Sequence, residues 1–264
     1  MFSRNRTKNK NRASLFLAAL FGAIGAYAAL PGCIGTSVGN PPGAEVKLAV
    51  VGTETGEAPP ESAKAPAIDV GGGVVIEEAW ISLAEIGLHA AGTCGLGGDS
   101  PDVPGVIAAE LVTGSIYPEA PLWERPPNES YCAFRARVSP LSEPISNTPA
   151  ELTGHAALVR GTRADGTPFE AQIDLTDVIS ITGSKGPDFR LGTGLVGLIL
   201  AFDLGAWFSP GILDTAQVTD GAIAISADSN KEIEKSLRLR IPTSSRLFSD
   251  ANGDGRLNPG DGEL

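Results

Sequence analysis

Alternating apolar and polar positions predict short strands along most of this chain. From Glu45 to Val51 the large apolar residues occupy every second position, which is the period of a strand with one buried face. The run from Tyr131 to Val138 repeats that period. Two further runs, Leu152–Thr162 and Thr167–Leu175, flank a short Arg-Ala-Asp-Gly segment. They therefore predict a β-hairpin with a glycine-bearing turn.

The longest apolar segment, Val74–His89, changes its parity along the way. Ile81 and Leu83 would point to one face of a strand, whereas Ile86 and Leu88 would point to the other. Because side chains alternate strictly in a regular strand, the change predicts a β-bulge or bend near Ala84 and Glu85.

The rest of the chain adds a few elements of each kind. Strands are predicted at Val106–Val112, Leu191–Leu204 and Ala222–Ser226. One helical turn is predicted from Leu204 to Phe208, before a proline. Ser229 stands three residues before Glu232, which is the spacing of a capping box and predicts a short helix that ends near Leu239.

Together these segments indicate a mainly β protein of seven or eight strands. With 33 glycines and 20 prolines in 264 residues, long helices are disfavoured and turns are frequent. Strands and helices do not alternate as a parallel sheet requires. We therefore predict one domain over residues 45–249, an antiparallel β-sandwich of immunoglobulin-like or related type with long loops and one short helix.

The N-terminus has the layout of an export signal. Five basic residues and no acid lie in residues 1–12, and an apolar run continues to Leu30. A basic region followed by an apolar region and small residues is typical of a secretory signal peptide. The run ends in Leu30-Pro31-Gly32-Cys33, which resembles the lipobox of bacterial lipoproteins.

That resemblance implies cleavage before Cys33, with the fatty acyl chains (palmitate among them) carried by this cysteine. Residues 1–32 are then the signal peptide, and residues 33–44 are a flexible tether rich in Gly and Pro. The protein would be exported to the bacterial cell envelope and held on a membrane by lipid. An uncleaved transmembrane anchor is the alternative, because the apolar run is just long enough to span a bilayer.

Charge narrows the choice of partners. The formal net charge is −11, and loss of the basic segment before Cys33 moves it to −16. Such an acidic surface repels phosphate backbones, so nucleic-acid binding is disfavoured. It also repels anionic lipid, so we expect acyl chains rather than a basic patch to hold the membrane.

Two cysteines remain once Cys33 carries lipid. Cys94 and Cys132 form an even pair in an oxidising compartment, which predicts a disulfide. Two alternatives stay open, namely that both are free thiols or that one of them is a catalytic nucleophile.

The C-terminal segment has oxygen-bearing residues at the spacing of a cation-binding loop. If Asp250 is position 1, side-chain oxygens fall at positions 1, 3, 5, 9 and 12, a backbone carbonyl is available at position 7, and glycine stands at position 6. A hard cation such as Ca²⁺ takes six to eight oxygen ligands. The candidate ligands are Asp250, Asn252, Asp254, Arg256, Asn258 and Asp261.

This twelve-residue pattern resembles the calcium loops of dockerins and EF-hands. It has Asp rather than Glu at position 12, as dockerins commonly do, but it lacks a second copy and an exit helix. The resemblance implies a calcium site over residues 250–261 with a structural role, anchored through Leu247 and Phe248. A polar tail that binds no ion is the alternative.

The sequence supports no specific reaction. Gly192–Gly197 matches a dinucleotide-binding glycine motif but precedes a strand instead of opening a helix, so that function is rejected. The chain resembles bacterial lipoproteins with a β-sandwich domain of unknown function. We therefore predict a non-catalytic envelope protein that acts as a binding or structural module, with a glycan or an envelope protein as a possible partner.

Two other functions remain open at this point. A carbohydrate-binding or adhesion module would use Trp123 as its contact, since aromatic rings stack on sugars, although a loop Trp more often folds back over the core. An envelope hydrolase would need a pair of carboxylates, with candidates among Glu77, Glu78, Glu85 and Asp174.

Overall fold

The protein is built mainly from β-strands. This computed structural model describes residues 43–57, 67–92, 100–126, 129–184 and 188–264. Fifteen strands lie within these residues: β1 Ala44–Thr53, β2 Ile68–Asp69, β3 Val75–Ala90, β4 Val103–Glu110, β5 Ser115–Tyr117, β6 Leu122–Arg125, β7 Ser130–Val138, β8 Ala157–Thr162, β9 Pro168–Ile173, β10 Asp177–Thr182, β11 Phe189–Arg190, β12 Gly194–Asp203, β13 Ile223–Ile225, β14 Ser245–Asp250 and β15 Gly262–Glu263. The helices are α1 Leu204–Trp207 and α2 Lys231–Arg240, with 3₁₀ turns at Ala150–Leu152 and Ile241–Thr243.

Five strands form the first sheet, sheet A, in the order β15-β14-β12-β1-β6. Its two central strands, β1 and β12, run parallel, with Ala44 opposite Gly194 and Thr53 opposite Asp203. On β1 the alternation is regular at its start, because Val46, Leu48 and Val50 are fully buried while Glu45 and Lys47 are exposed. This burial fixes which face of sheet A packs on the core.

The second sheet, sheet B, is built around the sixteen-residue strand β3. Its main path is β10-β7-β3-β8-β9-β13, and β2, β4, β5 and β11 pair beside that path. The N-terminal half of β3 pairs with β8 and its C-terminal half with β7, so these two strands share one edge of β3. Strand β4 pairs along the opposite edge.

The two sheets pack face to face and are linked at both sides. On one side the backbone N–H of Ser184, just after β10, donates to the carbonyl of Leu264, just after β15, over 2.7 Å. On the other side the chain passes from β5 of sheet B to β6 of sheet A. One large apolar cluster fills the space between the sheets, and its largest fully buried side chains include Trp207, Tyr131 and Phe134. The prediction of a mainly β sandwich is confirmed.

The predicted bulge in β3 is present at the expected residues. The pairing of β3 with β4 shifts register between Ala84 and Ile86, and Glu85 has a positive φ of 49°. The extra residue moves Ile86 and Leu88 to the core side, where they are 0% and 1% exposed. Apolar residues of both parities are thereby buried in a single strand.

The predicted hairpin is shorter at its start than the sequence indicates. Strands β8 and β9 flank the turn, but residues 152–156 precede β8 and are not in a strand; Leu152 ends a 3₁₀ turn. Leu152 is fully buried because it joins a second apolar cluster on the outer face of sheet B, together with Trp80 and Leu158. Burial against this separate cluster, and not ladder pairing, determines its conformation.

The predicted capping box of α2 is wrong, although the helix itself is confirmed. The N-cap residue of α2 is Asn230, which has a left-handed conformation, and its side chain makes no capping hydrogen bond to the helix. The Asn230 side chain instead accepts from the N–H of Gln217 over 2.7 Å and donates to the carbonyl of Ala224 over 2.7 Å. It thus ties the start of α2 to the preceding loop and β13.

Candidate metal centre

The candidate calcium loop is the connection between two paired strands of sheet A. Strand β14 ends at Asp250, residues 251–261 form the loop, and β15 returns to pair with β14 through Phe248 and Ser249. Because β14 also pairs with β12, both ends of the loop are held by the sheet. Loop and sheet are therefore one continuous unit.

The first and last carboxylates of the loop are held by backbone N–H groups. Asp250 accepts from the N–H of Gly253 over 2.7 Å and from that of Gly255 over 2.8 Å. Asp261 accepts from the N–H of Ala251 over 2.9 Å and from that of Asn258 over 2.6 Å. Gly253 and Gly255 both have positive φ, near 73° and 72°, a conformation that glycine adopts without strain.

Three oxygen atoms from the middle of the loop converge on one side-chain amide. The Nδ2 of Asn258 lies 3.1 and 3.3 Å from the two carboxylate oxygens of Asp254 and 3.0 Å from the carbonyl oxygen of Arg256. The pKa of Asp254 lies below its ordinary value, mainly because the backbone N–H of Arg256 donates to it, with further hydrogen bonds from Asn252 and Asn258. Positions 5, 7 and 9 of the pattern thus meet at one point.

Two packing contacts, neither part of the oxygen pattern, seat the loop on sheet A. Leu257 is 5% exposed and packs with Ile199, Ala201 and Phe248 on the outer face of the sheet. Asp250 lies opposite Gly197 of β12, and a Cβ built at Gly197 would come within 2.6 Å of the Asp250 Cβ. Neither contact follows from the spacing of the oxygen-bearing residues. Leu257 could have been singled out, however, because it is the one large apolar residue within residues 250–261.

The donor set has the chemistry that a hard cation requires, since every candidate ligand atom is an oxygen. Among the residues that the structure describes, no group of three or more His, Cys, Asp and Glu side chains is arranged to hold a metal ion. The carboxylates of Asp250 and Asp261 face the backbone N–H groups of the loop instead. The calcium site therefore remains a prediction.

The predicted disulfide is described at one of its two ends. Cys132 lies on β7 and is 6% exposed, and its Sγ is 3.4 Å from the carbonyl oxygen of His89 at the end of β3. Cys94 lies outside the described residues. Cys33, the signal peptide and nearly all of the tether also lie outside them.

The structure corrects the interpretation of Trp123 as an exposed ligand contact. Trp123 lies on β6 opposite Val46 and is only 8% exposed, within the main core cluster. Its parity on β6 places it on the inner face, whereas Leu122 and Glu124 point outwards. The ring therefore presents no free face on which a sugar could stack.

Three of the four candidate hydrolase carboxylates are engaged in separate interactions. Glu78 pairs with Arg160 over 2.9 Å, and Glu85 pairs with Arg137 over 2.6 Å. Asp174 lies 2.6 Å from the Nδ1 of His155, a pair that local sequence does not predict because His155 precedes β8 and Asp174 follows β9. Each of these three carboxylates pairs with a different basic side chain, so they do not form a pair of carboxylates with one another.

Two shallow cavities lie on the surface of the described part of the chain. One, of about 240 Å³, lies beside the candidate calcium loop and is lined by Lys47, Leu195, Gly197 and Asp250–Gly253. The other, of about 210 Å³, lies near Arg240 and Ser244. Both volumes fall below the range of about 300–1,000 Å³ that is typical of small-molecule sites.

Comparison of the sequence with family models and with curated proteins gives no match, and comparison with solved structures gives none either. No helix within residues 43–57, 67–92, 100–126, 129–184 and 188–264 has the length and apolar character needed to cross a membrane. The function is therefore argued from the sequence and from the geometry of the described residues.

Proposed function

We propose that this protein is a non-catalytic lipoprotein of the bacterial cell envelope, a binding or structural module held on a membrane by acyl chains on Cys33. The observation that carries the proposal is the Leu30-Pro31-Gly32-Cys33 sequence after a basic and then apolar N-terminus. Ten residues after Cys33 the chain reaches Gly43 and enters β1, a central strand of sheet A. A short tether that leads straight into a buried strand suits a globular body held close to a membrane.

The anchor is tested by expressing the full chain in a bacterial host with a labelled fatty acid. The label should appear on the protein and the first residue should be Cys33, as measured by mass spectrometry. Cys33→Ser should abolish both labelling and membrane association. Cys132→Ser is the matched control and should keep the label, because it removes the proposed disulfide but leaves Cys33 and the sequence before it unchanged. An unlabelled full-length chain would refute the proposal.

Calcium is proposed as a structural ligand of the loop at residues 250–261. Asp250, Asn252, Asp254, Asn258 and Asp261 would supply side-chain oxygens, and Arg256 its backbone carbonyl. Support comes from the paired strands that hold both ends of the loop and from the convergence of oxygens near Asn258. A bound ion would fasten β15 to the rest of sheet A.

A disulfide between Cys94 and Cys132 is proposed as the second staple. Ala91 donates its backbone N–H to the carbonyl of Ser130 over 2.7 Å, and Ser130 lies two residues before Cys132 on β7. Cys94 follows Ala91 by three residues, a chain length of at most about 10 Å, so the sequence spacing permits this bond. Peptide mapping without reductant should recover the two cysteines in one linked fragment, and two separate alkylated peptides would exclude the bond.

The alternative function, a carbohydrate-binding or adhesion module, needs a contact other than Trp123, since that ring is buried. Binding to a glycan array by the purified chain would favour this alternative. A screen for hydrolase activity tests the non-catalytic assignment, and turnover that is lost on mutation of a carboxylate would overturn it.

A further inference from the structure

The exposed apolar side chains nearest the start of β1 share one sheet face. Leu195 is 64% exposed and Leu122 is 55% exposed, two of the six large apolar side chains that stand out at the described surface. Leu195 is the register partner of Glu45, and Leu122 is the partner of Lys47. Both leucines therefore flank the first residues of β1 on the outer face of sheet A.

We call the surface formed by Leu195, Lys47 and Leu122 the entry face, because the chain enters the fold beside it. From the spacing of strands and residues in a sheet, the two leucine Cα atoms lie about 12 Å apart. Lys47 lies between them and also lines the shallow cavity next to Leu195. A cation between two exposed leucines is a combination that suits the boundary between headgroups and acyl chains.

The length of chain before Gly43 decides what can cover this face. Residues 33–42 separate the proposed lipid site from the first described residue, and a flexible chain of that length would have an average span of about 16–19 Å. The start of β1 is thereby kept close to the bilayer. Tethering at this range raises the effective concentration of the membrane surface to the millimolar range, so that even a weak contact is populated.

Charge indicates which lipid surface fits. Glu45 and Glu124 are exposed on the same face as Lys47, and Asp250 lines the same cavity as Lys47, so this face carries both signs of charge. A zwitterionic headgroup presents an ammonium for the carboxylates and a phosphate for the lysine, whereas an anionic surface would repel the three acids.

We propose that the entry face rests on the zwitterionic bilayer to which the chain is tethered, with Leu195 and Leu122 in contact with its acyl boundary. This inference rests on the proposed lipid anchor. It assigns an orientation as well as an attachment: the outer face of sheet A at the start of β1 faces the lipid, and the far end of β12 faces away.

Added tryptophans test the orientation in the full lipidated chain. Leu195→Trp and Leu122→Trp place a reporter on the entry face, and the three native tryptophans are each at most 8% exposed. Leu239→Trp is the matched control, since Leu239 is 68% exposed on α2. The next residue, Arg240, donates to the carbonyl of Ala206 in α1. Because α1 follows the far end of β12, this control position lies about 30 Å from Leu195.

The variants are reconstituted into phosphatidylcholine vesicles with brominated acyl chains, which quench nearby tryptophan. We expect loss of most of the added emission at positions 195 and 122 and none at 239, relative to unbrominated vesicles. Unquenched emission at 195 and 122, or equal quenching at all three positions, overturns the orientation alone. A chain that fails to float with the vesicles overturns the lipid anchor and the orientation together.

Discussion

Asp250 on β14 lies directly opposite Gly197 on β12, and its side chain occupies the space that a Cβ at Gly197 would need. The first residue of the candidate calcium loop is thus placed by a glycine more than fifty residues earlier. The same glycine closes the motif that resembles a dinucleotide-binding loop, and here it serves strand packing. A substitution at Gly197 therefore tests how the loop is held against sheet A.

Gly197→Ala should displace Asp250 and destabilise the protein. The added Cβ would lie 2.6 Å from the Asp250 Cβ, and overpacking of this kind costs about 1–3 kcal/mol. The free energy of unfolding, measured by denaturant titration, should fall by this amount. Gly192→Ala is the control and should have little effect, because nothing lies within 4 Å of a Cβ built at that position. Equal stability of the two variants would contradict the proposed seating.

Calcium should raise the melting temperature of the wild-type protein. Exported calcium modules have dissociation constants of about 10⁻⁴–10⁻³ M, so about 10 mM calcium should add roughly 1.4–2.7 kcal/mol to the free energy of unfolding. Asp250→Ala or Asp254→Ala should abolish this increment, measured as the difference between melts in calcium and in chelator. Asp228→Ala removes an exposed carboxylate outside the loop and should keep it. Identical wild-type melts in calcium and in chelator would refute the site.

Stability should depend on pH through Glu234. Burial raises the pKa of this carboxyl above 4.5, the negative charge of Asp174 adds to the effect, and Arg238 opposes it. Between 4.5 and the raised value the folded state holds more protons than the unfolded state, so stability falls as the pH rises through this window.

Glu234→Gln should remove this pH-dependent loss of stability. The variant should melt at a higher temperature than the wild type at about pH 8, and the difference should disappear near pH 4, where the wild-type carboxyl is protonated in both states. Glu232→Gln changes an exposed residue of the same helix and should give no such rise. A Glu234→Gln variant that is less stable than the wild type at pH 8 would show that the charge is favourable where it stands.

Two buried tryptophans should respond differently to replacement by phenylalanine. The Nε1 of Trp207 donates to the Ser244 Oγ over 2.6 Å, whereas the Nε1 of Trp123 is buried and has no hydrogen-bond partner among the residues that the structure describes. Both replacements remove a similar volume, but only Trp207→Phe removes a hydrogen bond, while the half-buried Ser244 keeps its contact with the carbonyl of Ile241. Trp207→Phe should therefore be the more destabilising by about 0.5–1.5 kcal/mol in denaturant titrations. The reverse order would mean that Trp123 has a partner in solution.

Much of the strand content could be predicted, because burial imposes a period of two on each strand. The parity change between Leu83 and Ile86 even located the bulge at Glu85, since only an extra residue lets both sets reach the core. The partners of each strand could not be predicted in the same way. The period of β1 is the same whether its neighbour is parallel or antiparallel, so its pairing with β12 is visible only in the fold.

The errors share a physical origin in contacts between distant parts of the chain. Leu152 follows a strand-like pattern but is recruited by a cluster around Trp80. Trp123 sits among prolines that indicate a loop, yet it pairs with Val46 on β1. For the candidate site, the spacing of oxygen-bearing residues identified the loop, whereas its attachment through Leu257 depends on an outer sheet face that local sequence does not specify.

The pairing of β1 with β12 also bears on how the polypeptide matures after synthesis. Thr53 and Phe202 are 149 residues apart in sequence, so a chain threaded across a membrane N-terminus first delivers β1 long before its parallel neighbour arrives. Until then the four-residue strand β6 is the one described strand that can pair with β1. Contacts of such long range form late, so if the chain is exported as proposed, we expect it to need a holding chaperone during this interval.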